Sequence, residues 1–389
     1  MKRLAILLAA SVAVFGGYAE ASAAGVDELP ADITDYLLSP AHTDARLPLG
    51  PSAYRNWKSA KAPPWTFAYV GSARFGSWNE AALRTARDEL APKWANLGLS
   101  KALVAPPAAA NDSEASRRIR ELADEGVDAI LVCCASSTGL NDAIAYAHGK
   151  GALVVPFFGF STSPYALNAT TNFTLTGNEL VDRIAEDLGD KGNVLVVGGF
   201  LGDEASQALD RGIRNGFERN SGLKMVGDIA VNGGADASRA ATLAWLESHR
   251  DSVDGVIVRS GANFHILDAF SAAPRKIPIQ TYGDDLASLC YWRHNLDTAY
   301  HALIGWPPAA ETALAWNVAM RTLQGQGPKI QSVVVDAISI NSYDVRTKIP
   351  ESCSLDGDGW FPAGGESWGD RRFLNYFFLR PDDPTHYKP

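Results

Sequence analysis

The densest group of recognition side chains is the run Ser72-Ala73-Arg74-Phe75-Gly76-Ser77-Trp78, which follows directly on the apolar stretch Phe67-Ala68-Tyr69-Val70 with only Gly71 between. A hydroxyl, a guanidinium and two aromatic rings in one short loop suit the capture of a small molecule, with rings on its apolar faces and polar groups at its edge. Arg74 is the one charged residue of the run. It has two readings of equal standing: contact with a carboxylate or hydroxyl of a ligand, or a pair with an acid on the rim.

Patterns for catalysis are weaker. Gly198-Gly199-Phe200-Leu201-Gly202 stands between a strand pattern and a helix pattern, the setting of a dinucleotide fingerprint, but its glycine spacing differs from Gly-x-Gly-x-x-Gly. Gly159-Phe160-Ser161-Thr162-Ser163 departs from a nucleophile elbow at its last position. His42, His148, His249, His265, His294, His301 and His386 are scattered, with no pair at the metal-binding spacing of a helix face. Asp356-Gly357-Asp358-Gly359 has the start of a calcium loop, yet its twelfth position is Ser367 and not Glu; a tight turn explains it as well. No catalytic residue, metal or cofactor is expected.

The elements that must carry the recognition loop repeat. Thr66-Phe67-Ala68-Tyr69-Val70-Gly71-Ser72 is echoed by Asn193-Val194-Leu195-Val196-Val197-Gly198-Gly199, and 197 − 70 is 127. Arg84 and Arg211 stand the same distance apart, and Val127-Asp128-Ala129-Ile130-Leu131-Val132 is matched by Val253-Asp254-Gly255-Val256-Ile257-Val258, where 253 − 127 is 126. Several echoes in one order at nearly constant offset predict two similar lobes. Each lobe alternates short apolar runs, such as 129–134 and 153–158, with segments of helical period, such as Leu83, Ala86, Leu90 and Trp94. The predicted fold class is α/β, two doubly wound parallel-sheet lobes with helices on both faces. Ligands of such sheets bind beyond the carboxyl ends of the strands. That rule selects residues 72–78, 134–139, 158–163, 198–204, 260–263 and 283–286, and within them Ser72, Arg74, Phe75, Trp78, Ser136, Phe158, Ser260, Asn263 and Asp284. Trp306, beside Pro307 at a loop–helix junction, joins them. Phe75 and Phe158 read equally well as core.

The 389 residues, 46% hydrophobic and 20% charged, fit a globular chain of two domains, and a net charge of −9 argues against a nucleic-acid surface. Lys2-Arg3, the apolar stretch to Gly17 and Ala21-Ser22-Ala23 predict a secretory leader over 1–23, removed on export. In an oxidising compartment Cys290 and Cys353, both in loop-like sequence, either pair or stay free, while Cys133 and Cys134 inside an apolar run read as ordinary buried thiols. Residues 24–64 read as an arm without clear period, 65–166 with 307–328 as the N-terminal lobe, 167–306 with 329–345 as the C-terminal lobe, and 346–389 as an aromatic-rich tail. A further helix is expected over 309–323 and one more strand over 332–340.

Leader, paired lobes, cleft and return segment together resemble the type I periplasmic solute-binding proteins of the ribose- and sugar-binding class, over roughly residues 65–343. The loop Ser72 to Trp78, Gly177-Asn178-Glu179 at a helix start, Arg211-Gly212 with Gly216-Phe217 on a helix, and Tyr282-Gly283-Asp284 carry the likeness. The resemblance implies a three-strand hinge, with crossings placed near 164–170, 304–307 and 327–332, and closure over one ligand. It implies a periplasmic, monomeric receptor whose partner is an ABC transporter permease, or alternatively a membrane sensor kinase. The departures concern the ligand. Where sugar binders carry Asp-Arg this chain has Phe158-Gly159, the family's helix arginine aligns with Leu209, an Asn-Asp pair corresponds to Ser260-Gly261, and a polar hinge residue to Gly305 or Trp306. A sugar or polyol is the family default, while these positions suit a less polar, flat or partly apolar cyclic compound better than a free pentose.

Overall fold

The computed structural model describes residues 25–134, 136–199, 204–231, 235–259, 263–296, 300–357, 359–362 and 371–387. The expected leader, 1–23, lies outside them. The described strands are β1 (Phe67–Val70), β2 (Ala129–Cys133), β3 (Leu153–Phe157), β4 (Asn168–Thr171), β5 (Gly192–Val197), β6 (Leu223–Ile229), β7 (Gly255–Val258), β8 (Ile279–Tyr282), β9 (Tyr300–Gly305), β10 (Ser332–Val335) and β11 (Ile338–Ser339). They form two sheets, ordered β1-β2-β3-β4-β10 and β11-β9-β8-β7-β5-β6. Every pairing is parallel except β11 against β9. This is the two-lobed α/β fold expected from the alternation.

The duplicated sequence becomes duplicated register. β1 pairs with β2 so that Val70 faces Val132, and β5 pairs with β7 so that Val197 faces Val258. The paired residues are 132 − 70 = 62 apart in one lobe and 258 − 197 = 61 in the other. All four residues of β1 and of β7 are buried, as strands covered on both faces must be.

The helices follow local rules. Asp112–Asp124 starts where the Asn111 side chain accepts from the Glu114 N–H at 3.0 Å and turns Ala115, Ile119, Leu122 and Ala123 inward. Phe173–Leu188 and Glu204–Arg219 approach so closely that a Cβ at Gly177 would meet the Leu209 carbonyl, and one at Gly212 would meet that of Thr174. Asn178 donates to the Thr174 carbonyl at 3.1 Å and accepts from Arg219 at 2.7 Å. The Gly177-Asn178 and Arg211-Gly212 motifs thus build a helix–helix contact.

The sheets divide the chain differently from the boundaries drawn on the sequence. β4 and β10 belong to the first sheet, so the chain leaves that lobe after Thr171, returns after Gly305, and leaves again between Val335 and Ile338. The apolar run 332–340, read as one strand, is two short strands in different sheets. At the break the Ala337 N–H bonds to the carboxylate of Asp336 at 2.7 Å. Helix Pro308–Leu323 packs on β3, β4 and helix Gly76–Arg84 of the first lobe.

Both ends of the chain straddle the lobes. In the arm, the Tyr36 hydroxyl donates to Glu179 at 2.9 Å on the second lobe, and Asp44 pairs with Arg211. Farther along, Gly50 accepts from the Gln331 N–H at 2.9 Å, and Lys61 pairs with Asp128 of the first lobe at 2.9 Å. The tail does the same. Cys353 is disulfide-bonded to Cys290 of helix Leu286–His294, with Cα atoms 5.7 Å apart, so these two cysteines pair. Phe361 donates its N–H to the Asp284 carbonyl, while Phe377 and Phe378 are buried and Leu379 bonds to the Gly327 carbonyl on the other side. Among the described residues no helix is long and apolar enough to cross a membrane.

Candidate ligand-binding cleft

The recognition loop turns immediately after β1. Ser72 caps a single turn, Ala73–Phe75, by accepting from the Arg74 N–H, and helix Gly76–Arg84 begins at once. This geometry points Phe75 and Trp78 back over the strand ends. There they meet Phe158, the residue after β3: the Phe75–Phe158 ring centroids lie 5.7 Å apart and the Trp78–Phe158 centroids 4.4 Å. Phe173, at the start of the helix after β4, lies 5.2 Å from Phe158 and 5.0 Å from Trp306. Each such ring pair contributes roughly 0.5–1.5 kcal/mol beyond area burial. None of the four expected aromatics is more than 9% exposed. Phe158, Trp78 and Trp306 therefore form a packed aromatic cluster, the core reading left open for Phe158, and Phe75 also lines a cavity.

Trp306 sits where the chain returns from the second lobe to the first. Its carbonyl accepts from the Trp78 indole N–H at 3.0 Å, and its own N–H donates to the Asp284 carboxylate at 2.8 Å. One residue is thus fastened to both lobes. Asp284 is fully buried, and a Cβ at Gly305 would strike it. Asp284 therefore holds the crossing. Close by, Glu311 is also fully buried; it accepts from the Thr171 hydroxyl at 2.9 Å, and its second carboxylate oxygen has no hydrogen-bond partner among the described residues. Burial, reinforced by the negative Asp284 and opposed by the Thr171 bond, raises the Glu311 carboxyl to about 8.

A cavity of about 390 Å³ opens at the carboxyl ends of β1 and β2. Ser72, Arg74, Phe75 and Ser136, four of the ten expected residues, line it. Arg74 is exposed at its edge, and Ser136 donates to Asp112, the first residue of the next helix. Ser260 lies outside the described residues, as does the side chain of Asn263.

Sequence reasoning missed three contributors. Cys133 and Cys134, read as ordinary thiols, are joined to each other by a disulfide and line the cavity. Their adjacency in a chain with an expected leader was the available signal; the apolar run around them hid it. Asp112, the first residue of helix Asp112–Asp124, lines the cavity too and was not singled out in the sequence. Cys134 (φ 67°) and Phe158 (φ 50°) both occupy the left-handed region, sparsely populated by side chains of that kind, at the ends of neighbouring strands. Strain of this sort collects at binding sites. Third, Arg259, just after β7, is buried between Asp228 and Asp210, the latter at 2.8 Å. On the same lobe Glu204 pairs with Arg46 of the arm at 2.8 Å, and Arg211 pairs with Asp44, so these second-lobe charges are matched.

A family model described as periplasmic binding protein domain matches residues 74–327. Xylitol-binding protein of Mycolicibacterium smegmatis is 26% identical over 149 residues, which is 38% of this chain and 43% of that protein. The match thus spans less than half the length of that relative. Among solved structures, an ABC transporter solute-binding protein from Thermobispora bispora superposes with a TM-score of 0.64 at 22% identity, covering 80% of this chain and 94% of that one. One from Burkholderia graminis, in complex with D-arabinose, gives 0.61 at 16% identity, covering 75% and 99%. At such identities the likeness to the solved structures is one of fold.

Proposed function

Since the chain belongs to the periplasmic binding protein family, we propose that it is an exported, non-catalytic receptor that captures one polyhydroxylated small molecule between its lobes and presents it to the permease of an ABC importer. The cavity at the ends of β1 and β2 carries this reading: it combines an aromatic ring, hydroxyls, a carboxylate and a guanidinium at the place where ligands of parallel sheets bind. Trp306 supports closure as the working motion, because a residue bonded to both lobes at a crossing transmits a change at one to the other. The relatives named with xylitol and D-arabinose support a sugar or polyol as the ligand class.

Thermal-shift screening of the leader-free chain with xylitol, D-arabinose, D-allose and myo-inositol tests the reading. A specific ligand at about 100 times its Kd adds ~2.7 kcal/mol and raises the melting temperature by several degrees. Absence of any shift across sugars and polyols, or chemical turnover of a bound compound, overturns it. Trp78→Ala and Trp306→Ala both weaken the hit if closure runs through this cluster.

A further inference from the structure

We propose that the Cys133–Cys134 disulfide is the apolar floor of the ligand subsite on the first lobe, on which the ligand lays a carbon–hydrogen face while Asp112 accepts its hydroxyls. This rests on the functional reading above and names the subsite and its chemistry. β2 ends at Cys133, which is buried, and Cys134 follows it half-buried; both line the cavity. Two free thiols there would bring weak donors able to rotate. Joined through adjacent residues they form a small fixed surface of polarisable sulfur with no donor to satisfy. Such a surface attracts C–H groups by dispersion and makes no hydrogen-bond demand on them.

Asp112 supplies the complementary edge. An ionised carboxylate is acceptor-only, with room for about four hydrogen bonds. Ser136 donates one, which fixes the carboxylate beside the disulfide and leaves capacity facing the cavity. A molecule with one C–H face and neighbouring hydroxyls along its edge, a cyclitol or a sugar ring, meets both surfaces together. Gly139 packs this arrangement closely, since a Cβ there would strike Asp112 and Ser136. The oxidising compartment beyond the inner membrane maintains the bond.

Calorimetric titration of the full leader-free chain with myo-inositol, D-allose and xylitol is the test, using wild type, Cys133→Ser/Cys134→Ser and Asp112→Ala. The probe that binds wild type best should bind each variant at least about tenfold more weakly. If the serine pair does not fold, reduction and reoxidation of a Cys290→Ser/Cys353→Ser chain changes the same bond without replacing sulfur; affinity should fall on reduction and return on reoxidation. Affinity within about twofold of wild type after either change overturns the proposal, as does peptide mapping that finds free thiols at 133 and 134 in the native protein. A wild-type chain that binds none of the probes fails the functional reading itself, whereas binding that ignores the disulfide fails only this inference.

Discussion

The two lobes share a strand pairing to within one residue of register, yet their strand ends are furnished in opposite ways. Beyond β1, β2 and β3 stand Phe75, Trp78, Phe158 and a disulfide, with Arg74 at the edge. Beyond β5 and β7 stand Arg259 with its two aspartates, and Glu204 and Arg211 paired with the arm. One side is held by dispersion and ring packing, which salt and pH scarcely touch. The other is held by charges, which both can weaken. A duplicated scaffold thus carries two differently furnished sets of strand ends, and under the proposed function the loops decide what a ligand meets there.

The comparison breaks most visibly at its apolar end. Trp306→Ala removes a buried indole from contact with Phe158 and Phe173, and should destabilise the protein by about 3–5 kcal/mol in urea unfolding. A loss below about 1 kcal/mol would show that the cluster is not a packed unit. The next effect concerns Glu311, at the crossing between the two kinds of surface. Its folded-state carboxyl titrates near 8, above the ordinary 4.5, so the folded chain holds a proton that the unfolded chain has released. Its contribution to stability is therefore complete below about 4.5 and is lost as pH rises through about 8. Glu179, raised to about 7 chiefly by burial, acts with the same sign. The melting temperature of wild type should fall between pH 5 and 9 relative to that of Glu311→Gln, with the gap widening toward alkaline pH; parallel curves would remove Glu311 from the account.

On the charged side the expected losses are smaller. Arg259→Met leaves carboxylates whose side chains are 27% and 52% exposed, so water compensates them in part. The cost should be about 1–2 kcal/mol, between values for buried and surface pairs, and should shrink in high salt. A cost that salt leaves unchanged would mean that Arg259 acts by packing. Least of all, Asp44→Asn weakens the pairs of Asp44 with Arg46 inside the arm and with Arg211 of the second lobe, both arginines partly exposed, by about 1 kcal/mol or less. Comparing unfolding curves at low and high salt checks it, and a larger loss would make the arm a structural part of the second lobe.

Much of the scaffold was legible because repeated strands leave repeated apolar runs. β1, β2, β5 and β7 all lie where the offsets of 127 and 126 place them. The loop after β1 was legible too, since its residue types are unusual as a group. What was not legible depends on partners distant in the chain. Nothing in the run 332–340 tells that Val335 joins β4 while Ile338 joins β9, because apolar character does not name the sheet. Trp78, Phe158 and Trp306 lie in loops that the pattern marks as ligand-facing, and only their mutual contacts assign them to a cluster. The arm has no period because its side chains answer to helices more than 100 residues away, as Tyr36 does to Glu179.

The path of the two chain ends also sets an order of events during synthesis. Synthesis delivers the chain amino end first, so β1 to β4 emerge long before β10 and helix Pro308–Leu323, which complete the same sheet and its cover. The arm waits longer still for Gln331, and the last aromatic residues close over the first lobe only when the final segment arrives. Long-range closures of this kind slow folding and keep apolar edges exposed meanwhile. The growing chain thus carries its first-made lobe unfinished until β10 and residues 377–379 have been made.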